Sequence, residues 1–418
     1  MNAVIITIGD ELLIGQVVNT NQAYISQELN GVGIFVDEQI TIGDDFDKII
    51  STLKNATEKF DVIILTGGLG PTHDDITRNA LCKFFNCNLK LDEQVLENIK
   101  LLLTQKNLEL TDVRQNQAMI PSKSISLENK LGTAPGMLFE FQQNKFLISL
   151  PGVPYEMKYI FKNSVAPFLK SKFTGNVILH KTLKTSGISE SNLSQKIGDV
   201  KNILRDFENT SLAFLPNPMG TKLRITVKNS SREKANQILN QMEIIIRSKV
   251  EKYIYSSSED ELENVILDLM TQNNFTLSVA ESCTGGLIAN RLTNISNSSK
   301  YFLQGIVAYS NQSKINLLQI DKSILEEFGA VSQEVAEAMA IQSKNISGST
   351  HSLSVTGIAG PTGATIDKPI GLVWIGYSDK NETIAYQFNF PSERIIFKEV
   401  VSQQALEILR RKILKIPF

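Results

Sequence analysis

Short apolar runs that end abruptly in glycine, hydroxyl or acidic residues recur along this chain. Residues 4–8 run into Gly9-Asp10-Glu11, and residues 61–66 (DVIILT) run into Gly67-Gly68-Leu69-Gly70. Residues 275–280 run into Glu281-Ser282-Cys283-Thr284-Gly285-Gly286, followed by an amphipathic stretch over 287–292. Two further runs deliver Tyr309-Ser310-Asn311-Gln312-Ser313-Lys314 and Thr356-Gly357-Ile358-Ala359-Gly360-Pro361. A short continuous apolar run is the pattern of a buried strand, and small polar residues at its end mark a turn and a helix start. From residue 3 to about 169 strands and helices alternate, which predicts a mostly parallel sheet. Residues 177–255 change rhythm: VILHKTLKT reads as a strand, SESNLSQKI as a short helix, KLRITV as a strand and 233–250 as an amphipathic helix. With Gly175-Asn176 and Ser256-Ser257-Ser258 as junctions, the prediction is a multi-domain α/β protein. It has an α/β domain over 1–172, a small α+β module over 173–256 and a second α/β domain over 257–418, with no internal repeat.

Composition narrows the function classes. A chain of 418 residues with 42% hydrophobic and 21% charged residues is ordinary for globular domains. The net charge of −2 gives no basic footprint, so no nucleic acid is expected as a partner. No apolar run approaches the roughly 20 residues of a membrane span, and the first residues read directly as a strand rather than a signal peptide. Neither a membrane partner nor export is therefore expected. Three unevenly spaced cysteines suit a reducing cytoplasm. Cys82 and Cys87 have no second pair with which to build a zinc site, and His73, His180 and His351 are scattered.

The turn after residue 280 carries the sharpest chemistry. A hydroxyl at a strand end, beside the unpaired N–H groups of a helix start, is placed like a nucleophile with oxyanion donors next to it. A Ser/Thr helix cap followed by packing glycines gives the same local pattern. Two later strand ends would converge on the same crevice, because ligands in open α/β sheets bind where carboxyl ends of strands meet helix starts. Lys314, five residues past Tyr309, would reach back toward Ser282, and a desolvated lysine is a general base at neutral pH. Cys283 is a rival nucleophile. The only histidine in this part of the chain, His351, precedes the run 353–356 and would sit at the far end of that strand, so a buried free thiol is the better reading.

The first third holds a separate candidate site. Its glycines permit positive φ and a close approach of phosphate to the backbone. Asp74 and Asp75 supply hard oxygen ligands for a divalent cation, or simply cap the helix expected over 76–85. No Gly-Lys-Ser/Thr follows, so this is not a Walker loop.

The motifs AESCTGG, GIVAYSNQSK, GAVSQEVAEAMA, VTGIAGPTG and KPIGLVWIG resemble the C-terminal domain of the CinA-like family, which is similar to nicotinamide-nucleotide amidohydrolases. GDELLIG, NTN, TGGLGPTHDD, GTAPGM and LPGVPYEM resemble that family's molybdopterin-binding-like N-terminal domain. The resemblance implies hydrolysis of nicotinamide mononucleotide to nicotinic acid mononucleotide and ammonia, without a cofactor. Ser282 would be the nucleophile, with Lys314 and Tyr309 as activating partners. Glu281, Thr284, Gly285, Gly286, Thr356, Gly357 and Gly360 would bind substrate. For the N-terminal domain it implies cleavage of the pyrophosphate of ADP-ribose with a divalent metal. Asp10, Asp74 and Asp75 would be the metal candidates, and Gly67, Gly68, Gly70, Asn21 and Gly152 would line the cleft. A nucleotide- or pterin-binding protein without N-terminal turnover is the alternative. The family's multi-domain build also implies a homodimer.

Overall fold

The computed structural model describes residues 1–70, 76–173 and 177–417. By its packing the chain divides into two compact units, Met1–Leu179 with Val227–Gln237, and His180–Thr226 with Ile238–Phe418. The protein is a mixed α/β, multi-domain chain, as its alternating apolar runs predict. Among the described residues no helix is long and apolar enough to cross a membrane.

The first unit is built on a six-stranded sheet. Its order is Phe35–Ile42, Asn2–Ile8, Val62–Thr66, Lys145–Leu150, Gly136–Gln142 and Ile125–Leu127. The first four strands are parallel, and each of the last two runs antiparallel to the strand before it in this order. All five residues of Val62–Thr66 are buried, because helices cover both faces of the sheet. Ile25, Leu29 and Met157 pack on one face with Ile5 and Ile64, while Ile49, Leu53 and Ala80 pack on the other with Val4, Ile6 and Ile63.

The sheet also pairs two copies of a five-residue motif. Residues 6–10 and 40–44 both read ITIGD. They lie side by side in register, Ile6 beside Ile40, Thr7 beside Thr41 and Ile8 beside Ile42. The two threonine hydroxyls hydrogen-bond at 3.0 Å. Parallel pairing therefore brings two Gly-Asp turns to one end of the sheet.

A four-stranded sheet runs in the order Thr210–Asn217, Gly220–Asn229, Val177–Thr185 and Ile254–Ser256. The strand Thr210–Asn217 is absent from the sequence reading. It carries Pro216 and lies at the sheet edge, where the missing N–H of proline is tolerated.

The C-terminal sheet runs in the order Phe302–Val307, Leu277–Glu281, His351–Gly357, Leu372–Ser378 and Thr383–Asn389. The first three strands are parallel and the last two antiparallel to their neighbours. One face is covered by Ile266, Ile288, Phe397 and Leu406 from three helices, and the other by Leu318, Val335 and Met339. The helix Gln333–Ser347 approaches closely because serines face it. Ser352 and Ser354 donate to the carbonyls of Ala340 and Ala336, and Ser343 bonds Ser278 at 3.0 Å. The three parallel strands thus present Glu281, Val307 and Gly357 at one edge.

Candidate active site

The turn that follows Leu277–Glu281 is held by an acid. The Glu281 carboxylate accepts the Thr284 hydroxyl at 2.7 Å and the N–H groups of Gly286, Ile288 and Ala289 at 3.0, 3.1 and 2.8 Å. It caps the helix Leu287–Thr293 from inside, favoured by the helix dipole. This corrects the assignment of Glu281 and the Thr284 hydroxyl to substrate binding, because both oxygens of the buried acid are already occupied. Gly285 and Gly286 have φ of 61° and 92°, a conformation that disfavours any side chain. Ser282 is fixed in turn by its own N–H, which donates to the Val355 carbonyl at 3.0 Å.

Lys314 lies in the first turns of the helix Asn311–Leu318, which follows the neighbouring strand. Its Nζ is 3.0 Å from Ser282 Oγ and 3.0 Å from the Ala308 carbonyl. The side chain is 1% exposed. Among the described residues no carboxylate lies within ion-pair distance of it. Burial therefore lowers its pKa from the ordinary 10.5, opposed only weakly by the Cys283 thiol. The amine donates to Ser282 Oγ here, and in its neutral form it would be placed to accept the proton of that hydroxyl.

The backbone N–H groups of this turn are only partly used. The Gly285 N–H is used within the turn, donating to the Ser282 carbonyl at 3.1 Å, and that of Gly286 goes to Glu281. The N–H groups of Cys283 and Thr284 meet no oxygen acceptor among the described residues, so the turn leaves these two open. Cys283 itself is buried, and desolvation pushes its thiol up to about 12. His351 lies at the opposite end of the sheet, paired with Leu277 and with its ring tilted against Phe275 at 4.3 Å between centroids. Cys283→Ala is therefore expected to keep most of any amidase activity, measured as ammonia release.

Around the serine and lysine lies a cleft of about 170 Å³ lined by Tyr309, Asn311, Val331, Thr356, Gly357 and Arg394. Tyr309 is 59% exposed, and its hydroxyl accepts from Arg394 Nη2 at 2.7 Å rather than bonding Ser282 or Lys314. Its direct role in activation is thereby corrected to one at the cleft wall. Arg394 Nη1 also donates to the Gly360 carbonyl at 2.9 Å, so one guanidinium ties Tyr309 to the loop after His351–Gly357. The Thr356 hydroxyl donates to the Ala330 carbonyl at 2.6 Å. At Gly357 a β-carbon would stand 2.7 Å from the Leu372 carbonyl oxygen, so only glycine fits. Arg394 and Asn311 escaped the sequence reading. Asn311 stood within a quoted motif, whereas Arg394 lies 112 residues beyond Ser282 with no local signal.

In the N-terminal unit Asn21, Gly67 and Gly152 do meet, in a cleft of about 110 Å³ with walls from Leu12, Val17 and Val18. Asn21 Nδ2 donates to the Gly152 carbonyl at 2.7 Å, while its buried Oδ1 has no partner among the described residues. A β-carbon on Gly67 would stand 2.1 Å from the Ile8 carbonyl oxygen, and one on Gly68 2.2 Å from Thr77 Oγ1. Gly70 ends the described part of this loop, and Asp74 and Asp75 lie outside the described residues. Asp10 is not in the cleft wall. Its N–H donates to Asp44 Oδ2 at 3.2 Å, and its Oδ1 accepts from the Asp44 N–H at 3.3 Å. Asp44 was missed, although the ITIGD repeat marks it. Among the described residues no three acids, histidines or cysteines form a metal cluster. Two carboxylates nonetheless match the donor set of a magnesium-type ion, which commonly takes one or two carboxylates plus substrate phosphates.

Fold and geometry together define a two-unit α/β protein with a serine–lysine site in one unit and a glycine-lined cleft in the other. Three family profiles match: "Probable molybdopterin binding domain" over residues 4–171, "Damage-inducible protein CinA KH domain" over 180–256 and "CinA C-terminal domain" over 259–413. A "Putative competence-damage inducible protein" from Caldicellulosiruptor saccharolyticus is 41% identical over 414 residues, covering 99% of this chain and 100% of the relative. One of the same name from Clostridium botulinum is 42% identical over 413 residues, with coverage of 99% and 100%. A solved structure described as the protein CinA with unknown function from Thermoplasma acidophilum is 36% identical, covers 41% of this chain and 98% of its own, and has a TM-score of 0.37. The chain belongs to the CinA family of competence-damage inducible proteins.

Proposed function

We propose that residues 257–418 hydrolyse the carboxamide of nicotinamide mononucleotide, giving nicotinic acid mononucleotide and ammonia. The observation that carries this reading is the buried Lys314 amine 3.0 Å from Ser282 Oγ. Neutral Lys314 takes the hydroxyl proton as Ser282 Oγ attacks the carboxamide carbon. The N–H groups of Cys283 and Thr284 hold the oxyanion. Lys314 then returns the proton to the amide nitrogen, the C–N bond breaks and ammonia leaves. Water, deprotonated by the same amine, cleaves the acyl-serine ester and restores Ser282. Incubating the purified protein with nicotinamide mononucleotide and assaying ammonia tests this directly. No ammonia from the folded protein would sink it.

A second activity is favoured by the paired Asp10 and Asp44 turns beside the Gly67-Gly68 loop. For residues 1–172 we propose cleavage of the pyrophosphate of ADP-ribose, with 173–256 as a connector. A divalent cation would supply charge neutralisation at the phosphates, and Asp10 and Asp44 would hold it. The unpaired Asn21 Oδ1 would accept a ligand N–H or O–H within the cleft. Release of AMP from ADP-ribose is expected with added magnesium, lost with chelator and reduced at least about 10²-fold in Asp10→Asn. Binding of ADP-ribose without AMP release would instead favour a nucleotide-binding role. Unpaired Cys82, Cys87 and Cys283 support a reducing, cytoplasmic setting.

A further inference from the structure

The C-terminal helix Arg394–Leu414 brings a second cation to the serine turn. Lys398 is four residues after Arg394, so both side chains project from the same face of the helix. Arg394 lines the cleft and is committed to Tyr309 and Gly360. Lys398 has no such commitment. Among the described residues it forms no hydrogen bond and no ion pair, and it is half-buried. Its ammonium lies 3.6 Å from the point where a β-carbon on Gly285 would stand. It therefore faces the bare backbone of the turn that carries Ser282. The helix is anchored at this point by Phe397, which is fully buried, so the core fixes the backbone from which Lys398 projects.

An unpaired, partly desolvated cation beside a side-chain-free turn calls for an anion. The reaction proposed above uses only the amide end of its substrate, and the other end of a mononucleotide is a phosphate dianion. We propose that Lys398 binds that phosphate, with the Gly285-Gly286 turn leaving room for it, and so makes the site select nucleotides over nucleosides. This inference rests on the amidase reading of the same site. Gly285 then matters because a side chain there would stand 3.6 Å from the ammonium, in the space the phosphate would take.

The test compares nicotinamide mononucleotide with nicotinamide riboside, which lacks only the phosphate, in the full-length protein. The ratio of kcat/KM for the two is expected to fall about 10- to 100-fold in Lys398→Gln, the scale of one charge-assisted hydrogen bond. The loss should appear in KM for the nucleotide, with kcat little changed. Lys398→Arg should restore most of the ratio. An unchanged ratio, or equal losses on both substrates, would overturn the assignment. Calorimetric titration of the Ser282→Ala protein, with and without Lys398→Gln, measures the same ratio as affinities without turnover. If the wild-type protein releases no ammonia the amidase reading falls, while the calorimetric ratio still decides whether Lys398 reads phosphate.

Discussion

Ser282→Ala is expected to abolish ammonia release from nicotinamide mononucleotide, on the order of 10⁴-fold or more, while the melting temperature stays near that of the wild type. The magnitude follows from losing the covalent route altogether, since neither the oxyanion donors nor Lys314 can replace the attacking atom. The fold is spared because, among the described residues, the Ser282 hydroxyl takes part in one hydrogen bond, from Lys314, while the turn itself is held by Glu281. A steady-state ammonia assay with a thermal melt checks both halves. Retained activity in Ser282→Ala together with loss in Cys283→Ala would reverse the assignment of the nucleophile.

Lys314→Met is expected to lower kcat/KM by about 10²–10⁴-fold, the usual contribution of a positioned base. Lys314→Arg should not rescue it, because guanidinium stays protonated at neutral pH. The wild-type enzyme should show kcat/KM rising with pH through a value below 10.5 and levelling above it, since burial lowers the pKa and the neutral amine is the active form. The same shift sets the sign for stability. In the unfolded chain Lys314 has its ordinary pKa, so between the two values the unfolded state binds more protons and stability rises with pH. Below that window the folded protein holds a buried ammonium without a carboxylate partner. Methionine removes that cost, so at neutral pH Lys314→Met should melt at or above the wild-type temperature. An active Arg variant would show that only positive charge is needed and would make Lys314 an anion contact.

The architecture was largely legible in the sequence. Buried parallel strands such as Val62–Thr66 and Leu277–Glu281 have no solvent face, so they read as continuous apolar runs, and glycines at their ends mark where the chain turns. Thr210–Asn217 was lost because its Pro216-Asn217 end signals a turn. At an edge only one side of the backbone must be paired, so the local signal and the tertiary outcome part company there.

The chemistry was legible as residue types at strand ends. Ser282, Lys314, Thr356 and the glycines of both units stand where hydrophobic periodicity breaks, and the sequence by itself marked these ends as candidate sites. Which groups touch was decided by the tertiary structure. Glu281 reads locally as one more polar residue of the turn, and only the folded backbone shows four donors converging on it. Tyr309 and Lys314 are five residues apart, yet one reaches Ser282 and the other is held outward by Arg394, because the helix start at Asn311 separates their directions. Asp10 and Asp44 meet only because parallel pairing sets Ile8 beside Ile42. Arg394 and Lys398 reach the site on a helix whose place is set by packing across the sheet. Hydrophobic patterning is a local record of burial, whereas a pair of groups far apart in the chain is joined by register and packing alone.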